Sequence, residues 1–422
     1  MKTQKVAVVG TGSSAEKFIS TVSSACSFTF FNSTGSGECQ GQPVYALNQL
    51  VHNEFDKVVL AVYDYGELLP LIENSDKAPL YWFDAKNTEL ALLTDPYFDN
   101  AQACRQKTEL LTVIYDMRIA PPTYDFVVFL IKSQLVAQER GLKGLRVIIA
   151  PGDKQGFRDN IDFFSQGEMA FRVSHLLLPL IKLVDPGADI FLCSNREDAR
   201  DIYFSACHRF PDSHNFVKPI ARHFYSEFFE AIDKGIEHRL IRASETCRER
   251  IAEWMRYSNI APQRAITLTL RESTAHNDRN SELAIWHQVA TALTQAGYRV
   301  IVVRDTAKAL FPLGWQSIDE FPVAALDVEM RTALYEQSWL NLGVCNGPAV
   351  LCFLMAQCRY LFFGMYNASC TSNTYEHLEK VGIKRDRDQI AGAGDGQYIC
   401  WDDITAENVL FAIQQKFGVT IQ

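Results

Sequence analysis

A polar loop between residues 270 and 283 carries the side chains best suited to binding an anion. It follows the apolar segment "AITLTL" and ends in "DRNSE", directly before the helix-like segment "LAIWHQVATALTQ". A guanidinium presents a planar fork of donors that fits phosphate oxygens, and the first turn of a helix presents backbone N–H groups. We therefore expect five residues of this loop to hold the phosphate end of a nucleotide-like ligand: Arg271, Glu272, Arg279, Asn280 and Ser281.

The same loop has a second interpretation, in which Arg271 forms a salt bridge with Glu272 or Asp305 and the loop is a capped surface turn. Asp305 ends the next apolar segment, "YRVIVVRD". In the ligand-binding interpretation, which we favour, Asp305 holds a ribose or fixes Arg271. The preference arises because a guanidinium at the end of a buried strand needs a partner for its charge.

A turn of sequence Asn346-Gly347-Pro348 follows the apolar segment "LNLGVC" and precedes another helix-like segment. Glycine permits a close approach of the backbone, and proline suits the first position of a helix. Asn346 would bind a phosphate or a sugar hydroxyl, or it would only cap the helix. We add Asn346, Gly347 and Pro348 to the expected ligand site.

Two further turns follow strand-like segments and carry charged residues. Asp116 and Arg118 follow "LLTVIY", and Gly152 and Arg158 follow "RVIIAP". Because open α/β sheets bind ligands at the carboxyl ends of their strands, we expect Arg118, Gly152 and Arg158 to contact an acceptor or a second ligand. The alternative is an Asp–Arg pair that shapes its own loop, together with a solvent-exposed turn.

The segment "VVGTGSSAEK" matches the G-x-G-x-x-A pattern between a strand and a helix. Gly10 and Gly12 permit a tight turn, and Ser13 and Ser14 begin the helix whose N-terminus would face an anion. Dinucleotide-binding sheets carry an acidic residue at the end of the second strand, where this chain has Asn32. Three interpretations remain: a dinucleotide site, a site for another nucleotide or small ligand, and a purely structural turn.

The composition is typical of a soluble globular protein of two or three domains, with 422 residues, 47% of them hydrophobic and 22% charged. A formal net charge of −9 argues against sequence-independent binding to nucleic acid. The 11 cysteines include no C-x-x-C pair, which favours reduced thiols over disulfides or metal ligands. We expect no metal, no secretory signal and no transmembrane segment, and therefore a cytoplasmic protein.

Strand-like and helix-like segments alternate along the chain, which predicts the α/β class with parallel sheets covered on both faces. The segments group into three Rossmann-like units. We expect domains at residues 1–104, 105–255 and 256–422.

From about Leu110 to its end the chain resembles glycosyltransferases encoded in bacterial surface-polysaccharide gene clusters. The blocks that carry the resemblance are "YDMRIAPPTYDF", "VIIAPGDKQGFR", "GYRVIVVRDT" and "LYEQSWLNLGVCNGPAVLC". Such proteins look like GT-B enzymes, in which two Rossmann-like domains face each other and the C-terminal one holds most of the donor. The first hundred residues resemble, through "GQPVYALNQL" and "KVVLAVYDY", small Rossmann-like modules that accompany sugar-modifying enzymes in similar clusters.

The resemblance implies that residues 105–255 and 256–422 form a GT-B-like pair that transfers a sugar from a nucleotide-sugar donor to a glycan or surface-polysaccharide acceptor. In that scheme Arg271 clamps the diphosphate, Asp116 or Asp125 accepts the proton of the acceptor hydroxyl, and no metal or cofactor is required. The scheme is compatible with peripheral membrane contact and with a homo-oligomer. Two alternatives stay open: an NAD(P)-linked oxidoreductase or epimerase that uses Gly10 and Gly12, and a non-catalytic protein that binds sugar nucleotides.

Overall fold

The computed structural model describes residues 3–22, 25–63, 65, 68, 72, 78–85, 88–93, 109–153, 156–157, 164–212, 214, 216, 219, 225–274 and 276–421. Over these residues the chain is an α/β protein with three sheets whose strand pairs are mostly parallel. The α/β class predicted from the alternation of segments is therefore confirmed. Each sheet takes its strands from one of the three expected ranges, whereas the domain boundaries at 104 and 255 stay predictions.

The first sheet is built on a strand that is buried on both faces. Its strands are β1 (Gln4–Val9), β2 (Cys26–Asn32), β3 (Glu38–Cys39), β4 (Gln42–Ala46), β5 (Lys57–Leu60), β6 (Leu80–Asp84) and β7 (Glu89–Leu92), in the order β3-β4-β2-β1-β5-β6-β7. Along β1, Val6 and Val8 belong to one core cluster, and Ala7 and Val9 belong to another. The continuous apolar run of β1 is what a central parallel strand requires. Helix α1 (Ser13–Thr21) follows β1.

The second sheet has four strands in the order β10-β9-β8-β11. Their bounds are β8 (Leu110–Asp116), β9 (Gly144–Ala150), β10 (Asp189–Leu192) and β11 (Arg209–Phe210). The helices described in this part of the chain are α2 (Asp125–Glu139), α3 (Gln166–Arg172), α4 (Leu178–Val184), α5 (Arg196–Phe204), α6 (Tyr225–Asp233) and α7 (Glu245–Tyr257). A π-helical turn, Val173–Leu177, joins α3 to α4.

The third sheet is entirely parallel, with the order β14-β13-β12-β15-β16-β17. Its strands are β12 (Ala265–Thr269), β13 (Arg299–Val303), β14 (Asp319–Glu320), β15 (Leu340–Val344), β16 (Tyr360–Phe363) and β17 (Gln397–Ile399). The accompanying helices are α8 (Leu283–Gln295), α9 (Val323–Leu326), α10 (Val328–Gln337), α11 (Ala349–Phe353), α12 (Tyr375–Lys380) and α13 (Ala406–Phe417). One core cluster includes Leu268 and Val302, and the other includes Ile301 and Val303, so both faces are covered.

The strand order of the third sheet places a switch point between β12 and β15. The chain moves outward from β12 to β13 and β14, and then returns to the other side of β12 as β15. The loops that follow β12 and β15 therefore diverge, which opens a crevice at the carboxyl ends of these strands. Arg271 and Asn346 lie in those two loops.

The chain divides into two compact units, described separately below. Unit one comprises residues 1–119, 148–151 and 191–221, and unit two comprises residues 120–147, 152–190 and 222–422. Within the described residues, no helix is long and apolar enough to cross a bilayer. The ten cysteines in this part of the chain form no disulfide.

Gly10 fills a position in unit one that no other residue fits. Its φ is +116°, and a Cβ built on it would lie 2.5 Å from the carbonyl oxygen of Ala61. A Cβ on Gly12, the N-cap of α1, would meet nothing within 4 Å. The first glycine of the turn is thus required by packing against the chain that follows β5.

We expect Gly10→Ala to lower the free energy of unfolding by about 3 kcal/mol or more, because backbone strain and a backbone clash combine. Gly12→Ala should cost about 1 kcal/mol or less, the usual effect of alanine at an N-cap. Urea unfolding followed by circular dichroism measures both. Equal losses in the two variants would contradict the packing role of Gly10.

Candidate functional site

A cavity of about 210 Å³ opens in unit two at the carboxyl ends of β12, β13 and β15. The loops after these strands and helix α10 supply one wall, and α2, α3 and the π-helical turn supply another. The charged side chains that line it are Arg172, Arg271, Arg304, Arg331, His175, Asp125, Glu168 and Asp305. The position agrees with the edge at which open α/β sheets bind ligands.

Arg271 is held rigidly two residues beyond the end of β12 and is only 8% exposed. Its Nη1 donates to the carbonyl oxygen of His276 (2.8 Å) and to the side-chain oxygen of Asn280. Its backbone N–H donates to Ser281 Oγ (2.9 Å), and its carbonyl accepts from the Ser281 N–H (2.8 Å). Burial lowers the pKa of Arg271, and the positive charge of Arg279 acts in the same direction. An anion in the cavity would stabilise this guanidinium.

Arg331 is a second buried guanidinium in the same cavity, on α10, and it is 2% exposed. Its Nε donates to the carbonyl oxygen of Ala324 (2.6 Å) and its Nη1 to the hydroxyl of Tyr335 (3.1 Å). Burial raises the pKa of Tyr335 to about 12, so this hydroxyl is neutral at pH 7. In the part of the chain that the structure describes, no carboxylate forms an ion pair with Arg331. Burial opposes the charge of Arg331, but the neighbouring Tyr335, Tyr124 and Asp305 favour it, and the pKa of Arg331 is raised overall.

Arg304 and Arg172 also line the cavity, and each forms an ion pair within the protein. Arg304 Nε donates to Glu272 Oε2 (2.8 Å), and a second contact joins Arg304 Nη2 to Glu272 Oε1. Arg172 Nε donates to Glu168 Oε1 (2.7 Å), one helical turn earlier on α3. Each of these two arginines thus forms an ion pair with a carboxylate of the protein.

The Asn346-Gly347-Pro348 turn forms the edge of the cavity between β15 and α11. Asn346 Oδ1 accepts from the backbone N–H of Ala349 (2.9 Å), so the side chain caps the helix, as one interpretation of the sequence held. A Cβ on Gly347 would lie 2.8 Å from Cδ2 of Tyr124. The glycine is needed because the Tyr124 ring packs directly on this turn.

Packing of Tyr124 on Gly347 brings the first residue of α2, Asp125, to the rim of the cavity. Thr123 Oγ1 donates to Asp125 Oδ2 (3.0 Å). The carboxylate also stands in the first turn of α2, where the helix dipole favours negative charge. Asp125 is thus an exposed carboxylate that lines the cavity.

The wall formed by α3 and the π-helical turn is partly aromatic. The rings of Phe171 and His175 stack with their centroids 4.1 Å apart and their planes at 9°. The guanidinium of Arg172 lies 4.0 Å from the centroid of the Phe164 ring. Flat apolar surfaces of this type suit a sugar ring or a base.

A second cavity of about 340 Å³ lies on the other side of the Asn346-Gly347 turn and is more apolar. Arg279 faces this second cavity: its Nη2 donates to the carbonyl oxygen of Cys345 (3.1 Å), and its Nη1 lies 3.6 Å from the sulfur of Cys370. The loop residue expected to bind a phosphate beside Arg271 is therefore separated from the first cavity.

Three other residues of the loop position the site and do not line the first cavity. Asn280 and Ser281 hold Arg271 through the contacts given above. Glu272 pairs with Arg304, and not with Arg271 as the salt-bridge interpretation held. The side chains of these three residues contact other groups of the protein.

Asp305 lines the cavity. Among the described residues, no hydrogen bond joins its carboxylate to the Arg271 guanidinium. Its Oδ1 accepts from the backbone N–H of Thr306 (2.8 Å), and its Oδ2 accepts from the backbone N–H of Glu272 (3.3 Å). The carboxylate thus ties the loop after β12 to the end of β13. It supports Arg271 through the backbone next to it.

Asp116 belongs to a buried network in unit one, together with Arg118. Both oxygens of Asp116 accept from Arg196 (2.7 Å each), Oδ2 also contacts His214 Nε2 (3.1 Å), and Oδ1 accepts from the Arg118 N–H (2.9 Å). Burial opposes ionisation, but the hydrogen bonds from Arg196 and His214 outweigh it and lower the pKa of Asp116 to about 2. A carboxylate so acidic and so fully bonded is unsuited to act as a general base, which corrects that part of the sequence interpretation.

The remaining turns are shaped by their own contacts. The Arg118 guanidinium donates to the carbonyl oxygen of Phe216 (3.0 Å). Gly152 forms an antiparallel bridge with Gly156, whose carbonyl oxygen accepts its N–H (2.8 Å). Arg158 lies outside the described residues.

The N-terminal turn shows contacts within the protein. Ser13 Oγ lies 3.4 Å from the hydroxyl of Tyr63, and Ser14 Oγ is buried without a hydrogen-bond partner in the described part of the chain. Asn32 accepts from the N–H groups of Thr34 (3.0 Å) and Gly35 (2.6 Å). The residue at the position of the ribose-binding acid is thus folded onto its own turn.

Sequence reasoning missed Arg331 and the side chains of α3. Val328, Arg331, Thr332 and Tyr335 are all buried on α10 and follow the i, i+3, i+4, i+7 spacing of one helix face. An arginine at an otherwise core position of this pattern is the signal that could have found Arg331. No comparable signal marks His175, because its place in the wall depends on the π-helical turn. Within the described residues, no group of three or more potential metal ligands is present.

No protein-family model matches the chain, and no curated protein sequence matches it. Among solved structures, a family 9 glycosyltransferase of Veillonella parvula is similar, with 10% identity, a TM-score of 0.41, and coverage of 74% of this chain and 93% of that one. The E. coli heptosyltransferase WaaC with ADP has 10% identity and a TM-score of 0.33 over 72% of this chain and 97% of that one. E. coli ADP-heptose LPS heptosyltransferase II has 10% identity and a TM-score of 0.30, with coverage of 97% and 98%. Similarity this distant does not establish what the present chain does.

If Asp116 is structural, Asp116→Asn should lower the free energy of unfolding by about 3–5 kcal/mol, because it leaves Arg196 buried without its counter-ion. Asp201→Asn is a matched control in unit one, since it removes only a half-exposed contact with Arg200 and should cost about 1 kcal/mol or less. In the native protein, the contribution of Asp116 is present above the ordinary carboxyl pKa of 3.8 and is lost as the pH falls towards about 2.

Urea unfolding at pH 7 and at pH 3 measures these differences. A normally stable Asp116→Asn protein without enzymatic activity would contradict the structural role and make Asp116 a catalytic candidate again.

Proposed function

We propose that the chain is a glycosyltransferase that binds a nucleotide-sugar donor in the cavity at the carboxyl ends of β12 and β15. The observation that carries this proposal is the presence of two buried guanidiniums from different elements, Arg271 and Arg331, in the wall of one cavity. A diphosphate carries two adjacent anionic groups, and guanidiniums bind such oxygens in a planar, bidentate manner. The sequence blocks between Leu110 and the C-terminus resemble glycosyltransferases and suggest the same substrate class.

The two guanidiniums suit the chemistry of glycosyl transfer as well as binding. When the bond between the sugar and the diphosphate breaks, negative charge builds up on the departing phosphate oxygen. Arg271 is already fixed by His276, Asn280 and Ser281, so it needs no reorganisation when this charge develops. In this proposal the arginines supply the positive charge, and no metal or cofactor is required.

The acceptor hydroxyl must lose a proton as its oxygen attacks the sugar. Of the two aspartates expected to accept that proton, Asp125 lines the cavity, and Asp116 is committed to Arg196 and His214. The proposed function therefore retains Asp125 as the carboxylate candidate on the wall opposite the sheet edge. We further propose a glycan or polysaccharide acceptor and a cytoplasmic enzyme, as the sequence resemblance implies.

The alternatives have less support from the geometry. For an NAD(P)-linked enzyme, the N-terminal turn would have to bind a dinucleotide, yet Gly10 is explained by its packing on Ala61 and Asn32 is engaged with its own turn. A non-catalytic sugar-nucleotide-binding protein would use the same cavity, and turnover distinguishes it from the proposed enzyme.

The first test concerns Arg271. The purified protein is screened by thermal shift against ADP, UDP, GDP, dTDP, CMP, NAD and NADP, and by release of nucleoside diphosphate from UDP-glucose, ADP-glucose and GDP-mannose. Arg271→Ala should lower turnover by about 100-fold or more while the fold is retained, because a fixed donor to the leaving group is lost. Arg264→Ala, at the opposite end of β12, is the matched control and should behave as the native protein.

Full turnover in Arg271→Ala would contradict the proposed role of Arg271 in binding the donor. A thermal shift with NAD or NADP alone would move the ligand site to another part of the chain.

The second test concerns Arg331. Arg331→Met removes a buried charge that has no carboxylate partner in the described residues, so the ligand-free protein should keep its stability to within about 2 kcal/mol. The thermal shift given by a nucleoside diphosphate should disappear, because the binding energy that raises the apparent stability is lost. A variant that still binds the nucleotide with native affinity would show that Arg331 serves only the fold.

A further inference from the structure

We infer that His175 accepts the proton of the acceptor hydroxyl, an inference that rests on the proposed glycosyl transfer. His175 lies on the wall opposite the sheet edge, in the π-helical turn between α3 and α4, and it lines the same cavity as Arg271 and Arg331. π-Helical turns are rare and are concentrated at functional sites.

The surrounding helix fixes where His175 points. Ser165 caps α3 by accepting from the Glu168 N–H (3.1 Å), and the π-helical turn inserts its extra residue directly after α3. Val173 and Leu177 of the turn are buried, which anchors the opposite side. The imidazole is therefore presented to the cavity by a segment that the core holds in place.

The contacts of His175 select one tautomer. Its Nδ1 lies 3.1 Å from the carbonyl oxygen of Phe171, and a carbonyl can only accept, so Nδ1 carries the proton. The ring also stacks on Phe171 at 4.1 Å. With Nδ1 protonated, Nε2 keeps its lone pair, and no group in the described part of the chain forms a hydrogen bond with it. A ring nitrogen oriented by a hydrogen bond at the other nitrogen is the usual arrangement of a histidine base.

The carboxylates of the cavity are weaker candidates because each is already engaged by a group of the protein. Asp125 accepts from Thr123 Oγ1 in the first turn of α2, Glu168 pairs with Arg172, and Asp305 accepts from two backbone N–H groups. The charged groups that face the cavity with His175 are these three carboxylates and Arg172, Arg271, Arg304 and Arg331. The Nε2 atom of His175 differs from these carboxylates because no group in the described part of the chain forms a hydrogen bond with it.

The chemical step can be written with every atom and electron pair assigned. The acceptor O–H gives its proton to His175 Nε2, and the oxygen forms a bond to the anomeric carbon of the donor sugar. The bond between that carbon and the diphosphate oxygen breaks, and its electron pair leaves with the nucleoside diphosphate beside Arg271 and Arg331. The imidazolium then releases its proton to solvent.

The substrate is whichever of UDP-glucose, ADP-glucose and GDP-mannose the native protein hydrolyses. The experiment measures the pH dependence of kcat/KM for this hydrolysis in three variants, His175→Gln, Asp125→Asn and His287→Gln. His287 is a matched control, since it is an exposed histidine stacked on an aromatic ring, Trp315, at 4.8 Å. An imidazole base gives an acid limb at roughly pH 6–7, and a carboxylate base gives one near pH 4.

We expect His175→Gln to lower kcat by about 100-fold and to remove the acid limb, while the thermal shift with the nucleoside diphosphate persists. The control His287→Gln should keep the limb, and Asp125→Asn decides between the imidazole and the carboxylate candidate: the limb persists if His175 is the base. An unchanged limb in His175→Gln, or its loss in Asp125→Asn alone, overturns the inference.

A second measurement does not depend on turnover. In the ¹⁵N-histidine-labelled native protein, the signals lost in His175→Gln should show protonated Nδ1 and unprotonated Nε2 above about pH 7.5, where a histidine of ordinary pKa is neutral. The opposite tautomer overturns the inference. Absence of any nucleotide-sugar turnover or nucleotide binding would instead count against the proposed function, so the two failures are distinguishable.

Discussion

The guanidinium of Arg331 is buried in a cavity wall without an ion-pair partner among the described residues, and the rest of the site depends on this charge. Two neutral acceptors, the carbonyl of Ala324 and the hydroxyl of Tyr335, hold it in place without cancelling it. Charge of this kind is tolerated only if its hydrogen bonds are well made and a counter-charge can arrive. By contrast, Arg304 and Arg172 in the same cavity form ion pairs with carboxylates of the protein.

The backbone brings the opposite walls together through one tight contact. At the switch point of the third sheet, the loops after β12 and β15 separate and leave room for a ligand. Gly347 lets the ring of Tyr124 pack on the β15 turn, and this places the start of α2 at the rim. A side chain at residue 347 would displace Tyr124 and with it Asp125. The cavity is thus a product of packing inside unit two rather than of any single motif.

The two walls differ in a way that suits group transfer. The sheet edge and α10 carry positive charge, where a leaving phosphate would gain stabilisation. The α3 wall carries ring surfaces and an oriented imidazole, where a neutral sugar hydroxyl could be positioned and deprotonated.

The sequence by itself determined the α/β class and the sheet edge at which polar loops lie, because parallel strands end in polar loops at Arg271, Asp305 and Asn346 and alternate with amphipathic helices. Only the tertiary structure decided what each polar side chain does. Glu272, Asn280 and Ser281 share the loop of Arg271, but their side chains contact other groups of the protein. Asp116 forms hydrogen bonds with Arg196 and His214, which come from distant parts of the chain. Arg331 and His175 enter the cavity through helix packing and a π-helical turn. Local pattern specifies which residue types lie at an edge, whereas partners 80 or more residues apart, such as Asp116 and Arg196, are set by the folded core.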